Sequence, residues 1–177
     1  MTEGIQPASR TLILMRHAKA EHVEGKDDID RGLTARGRAD ATAAGAWLAE
    51  HDLTLDLVLC SVSQRTRQTW AAMVDGGATG RDVRYEDSIY NGGSGAMLRL
   101  VTEADPLAGV VLVVGHAPSV PWLTDTLAAD GTGSAQAHAQ LEEGFPTCAF
   151  AVLKVDTAWF DLAAGAAELS EFVVPRG

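Results

Sequence analysis

Several features that mark particular protein classes are scarce in this sequence. Cysteine occurs only twice among 177 residues, as Cys60 and Cys148, and the two form no CxxC motif. We therefore expect neither a disulfide framework nor a cysteine-based zinc site, and both residues are predicted to be buried free thiols. Charged residues interrupt every apolar run before it reaches the length of a membrane-spanning helix.

Basic residues are also fewer than acidic ones. Lysine and arginine total 14 against 24 aspartates and glutamates, which gives a formal net charge of −10. Nucleic acids and anionic membranes select basic surfaces, so neither is an expected partner. The N-terminal stretch MTEGIQPASR lacks the apolar segment of a signal peptide, so the cytoplasm is the expected compartment.

The hydrophobic pattern is typical of a single α/β domain over residues 1–177, with residues 1–10 expected to be flexible. Apolar strands alternate with amphipathic or alanine-rich segments, which predicts a mostly parallel sheet. The predicted strands are 11–15, 55–61, 83–85, 109–116, 148–155 and 167–174, the last two as a closing hairpin. The predicted helices are 34–51, 63–74, 94–104, 119–129 and 135–143.

Cationic and imidazole side chains follow three of these predicted strands. Arg16 and His17 follow the first, Arg65 follows the second, and His116 follows the most apolar one. In open α/β sheets, ligands bind beyond the carboxyl ends of the strands. Arginines can fork onto phosphate oxygens, and a histidine held neutral by nearby positive charge is a nucleophile. Each segment alone is typical of a solvated loop or a helix cap, but their agreement predicts a catalytic phosphate pocket.

Four segments also match a known family. The stretches LILMRHAKAE, DRGLTARGRADA, CSVSQRTRQT and VVGHAPSV resemble the histidine phosphatase superfamily, the phosphoglycerate-mutase-like group, and within it the SixA-type phosphohistidine phosphatases. The resemblance implies a three-layer αβα sandwich. It also implies that His17 is the nucleophile that becomes phosphorylated and that Arg16, Arg65 and His116 complete the pocket. GHAP replaces the family's more frequent GHNP or GHEP around His116.

The resemblance implies a phosphatase that acts through a phosphohistidine intermediate, without a metal or other cofactor. The expected substrate is phosphohistidine on a protein of the histidine-phosphotransfer or phosphocarrier type. The short chain favours this substrate because it leaves little room for the lids that enclose small molecules. One alternative is a phosphatase for a small phosphoester, such as a sugar phosphate or a nucleotide, and a mutase is less favoured. Another is a phosphohistidine-binding module without turnover, against which an intact His17 argues.

The leaving group and the rim of the pocket are less defined in the sequence. Glu86 and Asp87 follow a short predicted strand and are the possible proton donors. SixA-type enzymes are thought to need no strong acid, because imidazole leaves phosphorus more readily than an alkoxide does, so we favour the absence of a dedicated acid. Lys19 and Arg31 are predicted at the substrate-binding rim, with Arg36 as a further basic residue there.

A cysteine phosphatase is the competing chemistry, since Cys60 precedes Arg65 at a strand–helix junction. The spacing is one residue short of the usual loop, and the loop lacks glycine. That mechanism would also leave Arg16 and His17 unexplained, so we reject it.

The remaining polar and aromatic residues are not expected in the site. The acidic stretch 27–30 is predicted to be a solvated loop without metal-ligand spacing, and Trp122 is predicted to pack in the core. No catalytic part is expected for the other histidines, which are His22, His51 and His138.

Overall fold

The structure is a computed structural model that describes residues 9–177. Its strands form one six-stranded sheet in the order β3-β2-β4-β1-β5-β6. Strands β1 to β4 are mutually parallel where they pair, whereas β5 runs antiparallel to both β1 and β6. The strands are β1 (Arg10–Arg16), β2 (Leu55–Ser61), β3 (Gly80–Glu86), β4 (Val110–Gly115), β5 (Phe150–Val155) and β6 (Ala167–Val173). The predicted mostly parallel α/β sheet and its closing hairpin are confirmed.

Helices cover both faces of this sheet. They are α1 (Ala35–Glu50), α2 (Gln64–Asp75), α3 (Asp87–Asn91), α4 (Gly93–Thr102), α5 (Ser119–Leu127) and α6 (Ala135–Glu143). Short 3-10 turns lie at Asp28–Asp30 and Trp159–Asp161. Among the residues that the structure describes, no helix is both long and apolar enough to cross a bilayer.

Alternation along β1 divides the core between the two faces. Leu12 and Leu14 point into one cluster, which includes residues of α4 and α5, while Ile13 and Met15 point into another with residues of α1 and α2. All four side chains are fully buried. Because successive side chains of a strand face opposite sides, one strand supplies both cores, and the three-layer αβα sandwich is confirmed.

Two glycines lower the helix propensity of α1, but they allow its backbone to pack closely against α2 and against the loop after β1. A Cβ on Gly45 would lie 1.9 Å from the carbonyl oxygen of Met73 in α2, and one on Gly37 would lie 2.2 Å from that of Lys19. Any side chain at either position would collide with backbone. The helix begins with a cap, as Thr34 Oγ1 accepts a 3.0 Å hydrogen bond from the Gly37 N–H.

The element boundaries differ from expectation in three places. Strand β3 is longer than the predicted 83–85, because it pairs with β2 from Gly80 onward. Helix α3 was not predicted, and its five residues are too few for a periodic pattern. Arg10 belongs to β1 rather than to a flexible segment, while residues 1–8 of that segment lie outside the described residues. Both cysteines are buried and free, as predicted.

Candidate active site

Parallel strands bring the predicted residues to one edge of the sheet. Arg16 ends β1 and is paired in register with Gly115, which ends β4, so His17 and His116 follow at the same level. The His17 N–H donates to the Gly115 carbonyl at 3.0 Å. Ser61 ends the neighbouring strand β2, and Arg65 lies in the first turn of α2. The rings of His17 and His116 have centroids 5.4 Å apart.

His17 is held neutral in a defined tautomer. Its Nδ1 lies 2.7 Å from the carbonyl oxygen of Ala18, and a carbonyl can only accept, so Nδ1 carries the proton. Nε2 is therefore left with a free electron pair. Burial of the ring, with the charges of nearby His116, Arg65 and Arg16, lowers the pKa of His17 to about 3. The imidazole is therefore neutral at pH 7, with the electron pair of Nε2 available.

The backbone around His17 is fixed from two sides. The Cys148 N–H donates to the His17 carbonyl at 3.0 Å, from the segment that precedes β5. The Ala18 N–H donates to Thr69 Oγ1 at 3.0 Å, and the Thr69 hydroxyl donates to the Arg65 carbonyl at 2.7 Å. Buried Thr69 thus ties the loop that carries His17 to the helix that carries Arg65.

Arg65 is a buried cation whose charge is matched by one carboxylate. Its Nη1 donates to the main-chain oxygen of Asp28 at 2.7 Å, and its Nη2 donates to Asp28 Oδ2 at 3.0 Å. The Tyr90 hydroxyl donates to the same oxygen at 2.8 Å, and Arg31 Nη1 donates to Oδ1 at 2.9 Å. The hydrogen bond from Tyr90, followed by those from Arg65 and Arg31, lowers the pKa of Asp28 to about 2.

His116 completes the group between Arg65 and Ser61. Its Nδ1 lies 3.3 Å from Arg65 Nη2, and its Nε2 lies 2.8 Å from Ser61 Oγ. A guanidinium can only donate, so Nδ1 accepts and the Nε2–H donates to the hydroxyl. Burial, followed by the charge of Arg65, lowers the pKa of His116 to about 4. A second neutral imidazole therefore lines the pocket.

Only part of the hydrogen-bonding capacity of Arg16 is used within residues 9–177. Its Nη1 donates to the Phe145 carbonyl at 2.9 Å. Its Nε is buried and has no hydrogen-bond partner among residues 9–177. A buried donor left unpaired is costly, and an arginine can pair with an anion. Together with Arg65 it makes an electropositive site in a protein of net charge −10.

The other predicted residues lie at different distances from this group. Arg31 reaches it through Asp28, whereas exposed Lys19 has no hydrogen bond from its amine in the described chain, and the rim role of both stays a prediction. Glu86 ends β3 and Asp87 begins α3, and no hydrogen bond or ion pair joins either carboxylate to the site within residues 9–177. Glu86 is paired in register with Ser61 of the site, and the possible role of Glu86 or Asp87 as proton donor stays a prediction.

One prediction is incomplete and another is wrong. Residues 27–30 are all exposed, as predicted, but the Asp28 carboxylate also pairs with the guanidinium of Arg65. Trp122 is not in the core: it is 65% exposed, on the outer side of α5. Asp28, Tyr90, Ser61 and Thr69 are the site residues that sequence reasoning missed.

The competing cysteine chemistry finds no support. Cys60 is fully buried inside β2, and burial raises the pKa of its thiol to about 12. Such a thiol does not supply the thiolate that attack at phosphorus requires. Over the described range 9–177, no three histidine, cysteine, aspartate or glutamate residues group as metal ligands.

Comparisons with known proteins agree with this geometry. A sequence model of the histidine phosphatase superfamily (branch 1) matches residues 12–91. An uncharacterized protein of Mycobacterium tuberculosis is 39% identical, over 92% of this chain and its own full length. A solved structure from Nakamurella multipartitia, a candidate phosphohistidine phosphatase SixA, has a TM-score of 0.82 and 42% identity, and covers 94% of this chain and 96% of its own. A similar candidate from Agrobacterium tumefaciens has a TM-score of 0.75 and 32% identity, with 94% and 99% covered.

Proposed function

The chain belongs to the histidine phosphatase superfamily, and we propose that it is a SixA-type phosphatase that removes the phosphoryl group from phosphohistidine on a protein. The observation that carries this proposal is the state of His17. Its proton is on Nδ1, so the Nε2 electron pair is free beside two arginines and a second neutral imidazole. A nucleophile without a metal-ligand cluster or an activated thiol fits phosphoryl transfer through a phosphohistidine intermediate.

In the first step, His17 Nε2 attacks phosphorus in line with the departing group. The new N–P bond forms as the bond to the leaving nitrogen breaks, and the electron pair of the broken bond stays on that nitrogen. Arg16, Arg65 and His116 bind the equatorial oxygens, where charge must be stabilised in the transition state. To donate to a phosphate oxygen from Nδ1, His116 has to release Arg65 Nη2 and carry its proton on Nδ1, and the Ser61 hydroxyl then donates to Nε2.

In the second step, water attacks the phosphoryl group on His17. The P–N bond breaks and its electron pair returns to Nε2. Both protons of the attacking water leave with the product as H2PO4−, which then equilibrates with solvent. The hydrogen bond from Nδ1–H to Ala18 holds the ring in the same orientation through both steps. His17 is thereby regenerated in its starting tautomer.

The substrate assignment is supported by the mouth of the pocket. Imidazole leaves phosphorus without needing a strong acid, which suits a site where Asp28 is ionised and where no hydrogen bond joins the carboxylate of Glu86 or Asp87 to His17, Arg65 or His116 within residues 9–177. The Asp28 side chain is 52% exposed, so the mouth opens to solvent and can admit a protein-bound side chain.

Phosphate release tests this proposal. The substrates are a histidine-phosphotransfer protein phosphorylated with phosphoramidate and a panel of sugar phosphates and nucleotides. We expect release from the phosphorylated protein, abolished by His17→Ala and retained by His22→Ala, which removes an exposed imidazole of the following loop. Preference for one phosphoester would move the function to small-molecule metabolism. Binding without His17-dependent release would indicate a binding module.

A further inference from the structure

Asp28 has an unusual place for a carboxylate in a phosphate pocket. Its Oδ2 accepts from both Arg65 and Tyr90, while its Oδ1 accepts from Arg31 alone. A carboxylate offers about four acceptor positions, so one position on Oδ1 remains. Half of the side chain faces solvent, whereas the Arg65 side chain behind it is only 8% exposed. The carboxylate is therefore the outermost charged group of the site.

The charge of this residue is unfavourable for an ordinary phosphoester. The phosphoryl group is anionic in a phosphoester and in phosphohistidine alike, so the two substrates differ at the departing group, where an alkoxide or phenolate carries negative charge. Like charges at close range disfavour departure. An ionised carboxylate also has no proton to donate to such a leaving group.

The same charge is favourable for a phosphorylated imidazole. A phosphoimidazole protonated on its second ring nitrogen is a cation at the leaving group, and it departs as neutral imidazole. A carboxylate at the mouth can accept a charge-assisted hydrogen bond from that ring N–H. Contacts from Arg65 and Tyr90 fix Oδ2, whereas Oδ1 accepts a single hydrogen bond, from Arg31.

We propose that Asp28 is a specificity-determining residue that binds the protonated imidazole of phosphohistidine through Oδ1 and discriminates against phosphoesters. This rests on the proposed phosphohistidine phosphatase function. During transfer, His17 Nε2 forms the N–P bond and the substrate P–N bond breaks. The bonding pair then neutralises the substrate imidazolium, whose N–H proton stays on the departing ring. Asp28 accepts a hydrogen bond throughout and gains no proton.

Asp28→Asn tests this, because asparagine keeps the size and an acceptor oxygen but loses the charge. Its matched control is Asp30→Asn, an exposed acid of the same 3-10 turn. Each variant is assayed for kcat/KM with the phosphorylated histidine-phosphotransfer protein and with p-nitrophenyl phosphate. We expect Asp28→Asn to lose about 10- to 100-fold on the protein, the range for one charge-assisted hydrogen bond. Activity on the aryl phosphate should fall by a smaller factor, because the weakened contact with Arg65 affects both substrates whereas the imidazole contact is lost for the protein alone, and Asp30→Asn should behave as wild type.

Other outcomes would overturn the assignment. Equal losses on both substrates would mean that Asp28 only positions Arg65, and unchanged kinetics on both would mean that it does neither. A melting temperature for Asp28→Asn near that of wild type shows that the variant is folded. A second variant, Tyr90→Phe, removes one hydrogen bond to Asp28 Oδ2 but keeps the charge of Asp28, so it should retain the preference for phosphohistidine. If wild type itself cleaves only the aryl phosphate, the proposed function fails first, and that result is distinct from a failure of Asp28 alone.

Discussion

Acidification tests the burial of the two site histidines through stability. The native pKa values of His17 and His116 are lowered to about 3 and about 4, against an ordinary 6.5. The unfolded chain therefore takes up protons that the native state refuses, so stability falls as the pH drops below 6.5. The loss is about 1.4 kcal/mol per pH unit for each ring, or about 2 kcal/mol each at pH 5. Both rings together approach 4 kcal/mol, a large part of a typical domain stability of about 5–15 kcal/mol.

Urea unfolding at pH 7 and pH 5 measures this loss. His17→Asn removes one of the two titrating rings and should reduce the pH-dependent loss by about 2 kcal/mol. His22→Asn removes an exposed imidazole and should leave the wild-type dependence intact. If His17→Asn lost as much stability on acidification as wild type, the ring would not be buried and neutral, and its assignment as an unprotonated nucleophile would be refuted.

Three further predictions follow from the site and the helix packing. Arg65→Ala should lower kcat/KM by about 10²- to 10³-fold, as for a lost oxyanion-hole donor. The control Arg67→Ala, at an exposed arginine two residues further along α2, should stay near wild type. Near-normal kinetics of Arg65→Ala would remove Arg65 from the site. The acid limb of kcat/KM for p-nitrophenyl phosphate should lie below pH 5 rather than near 6.5, because both histidines stay neutral until then; a midpoint near 6.5 would contradict the lowered pKa values. Gly45→Ala should destabilise the fold by at least about 1–3 kcal/mol, since its Cβ would meet the Met73 carbonyl. The control Gly95→Ala in α4, where nothing lies within 4 Å of the new Cβ, should be neutral or stabilising by about 0.5–1 kcal/mol. Equal melting temperatures of the two variants would mean that α1 and α2 can separate without cost.

The main elements of the fold were predictable because their patterns are local. Strand β4 is a continuous apolar run that ends at Gly115, and β1 ends where charge begins at Arg16. In a parallel sheet the carboxyl ends of the strands meet at one edge, so the sequence pattern alone predicts that His17 and His116 lie together. Helix α1 could be located from its Thr34 cap and alanine-rich face.

The contacts that were missed depend on the path of a loop. Asp28 lies 37 residues before Arg65 and 62 before Tyr90, and nothing in the local pattern brings the three together. The acidic stretch 27–30 is exposed, as its three aspartates suggest, but Asp28 also contacts the buried guanidinium of Arg65. The prediction for Trp122 was wrong for another reason. The size of an aromatic side chain favours burial, but Trp122 lies on the exposed side of α5.

The central claim is that His17 carries the phosphoryl group between two chemical steps. The most direct measurement is the intact mass of the protein after rapid mixing with the phosphorylated histidine-phosphotransfer protein and quenching in alkali, where phosphohistidine persists. We predict a transient gain of one phosphoryl group, located on His17 by fragmentation and absent in His17→Ala. Phosphate release without any phosphorylated enzyme, or with the phosphoryl group on another residue, would contradict the account.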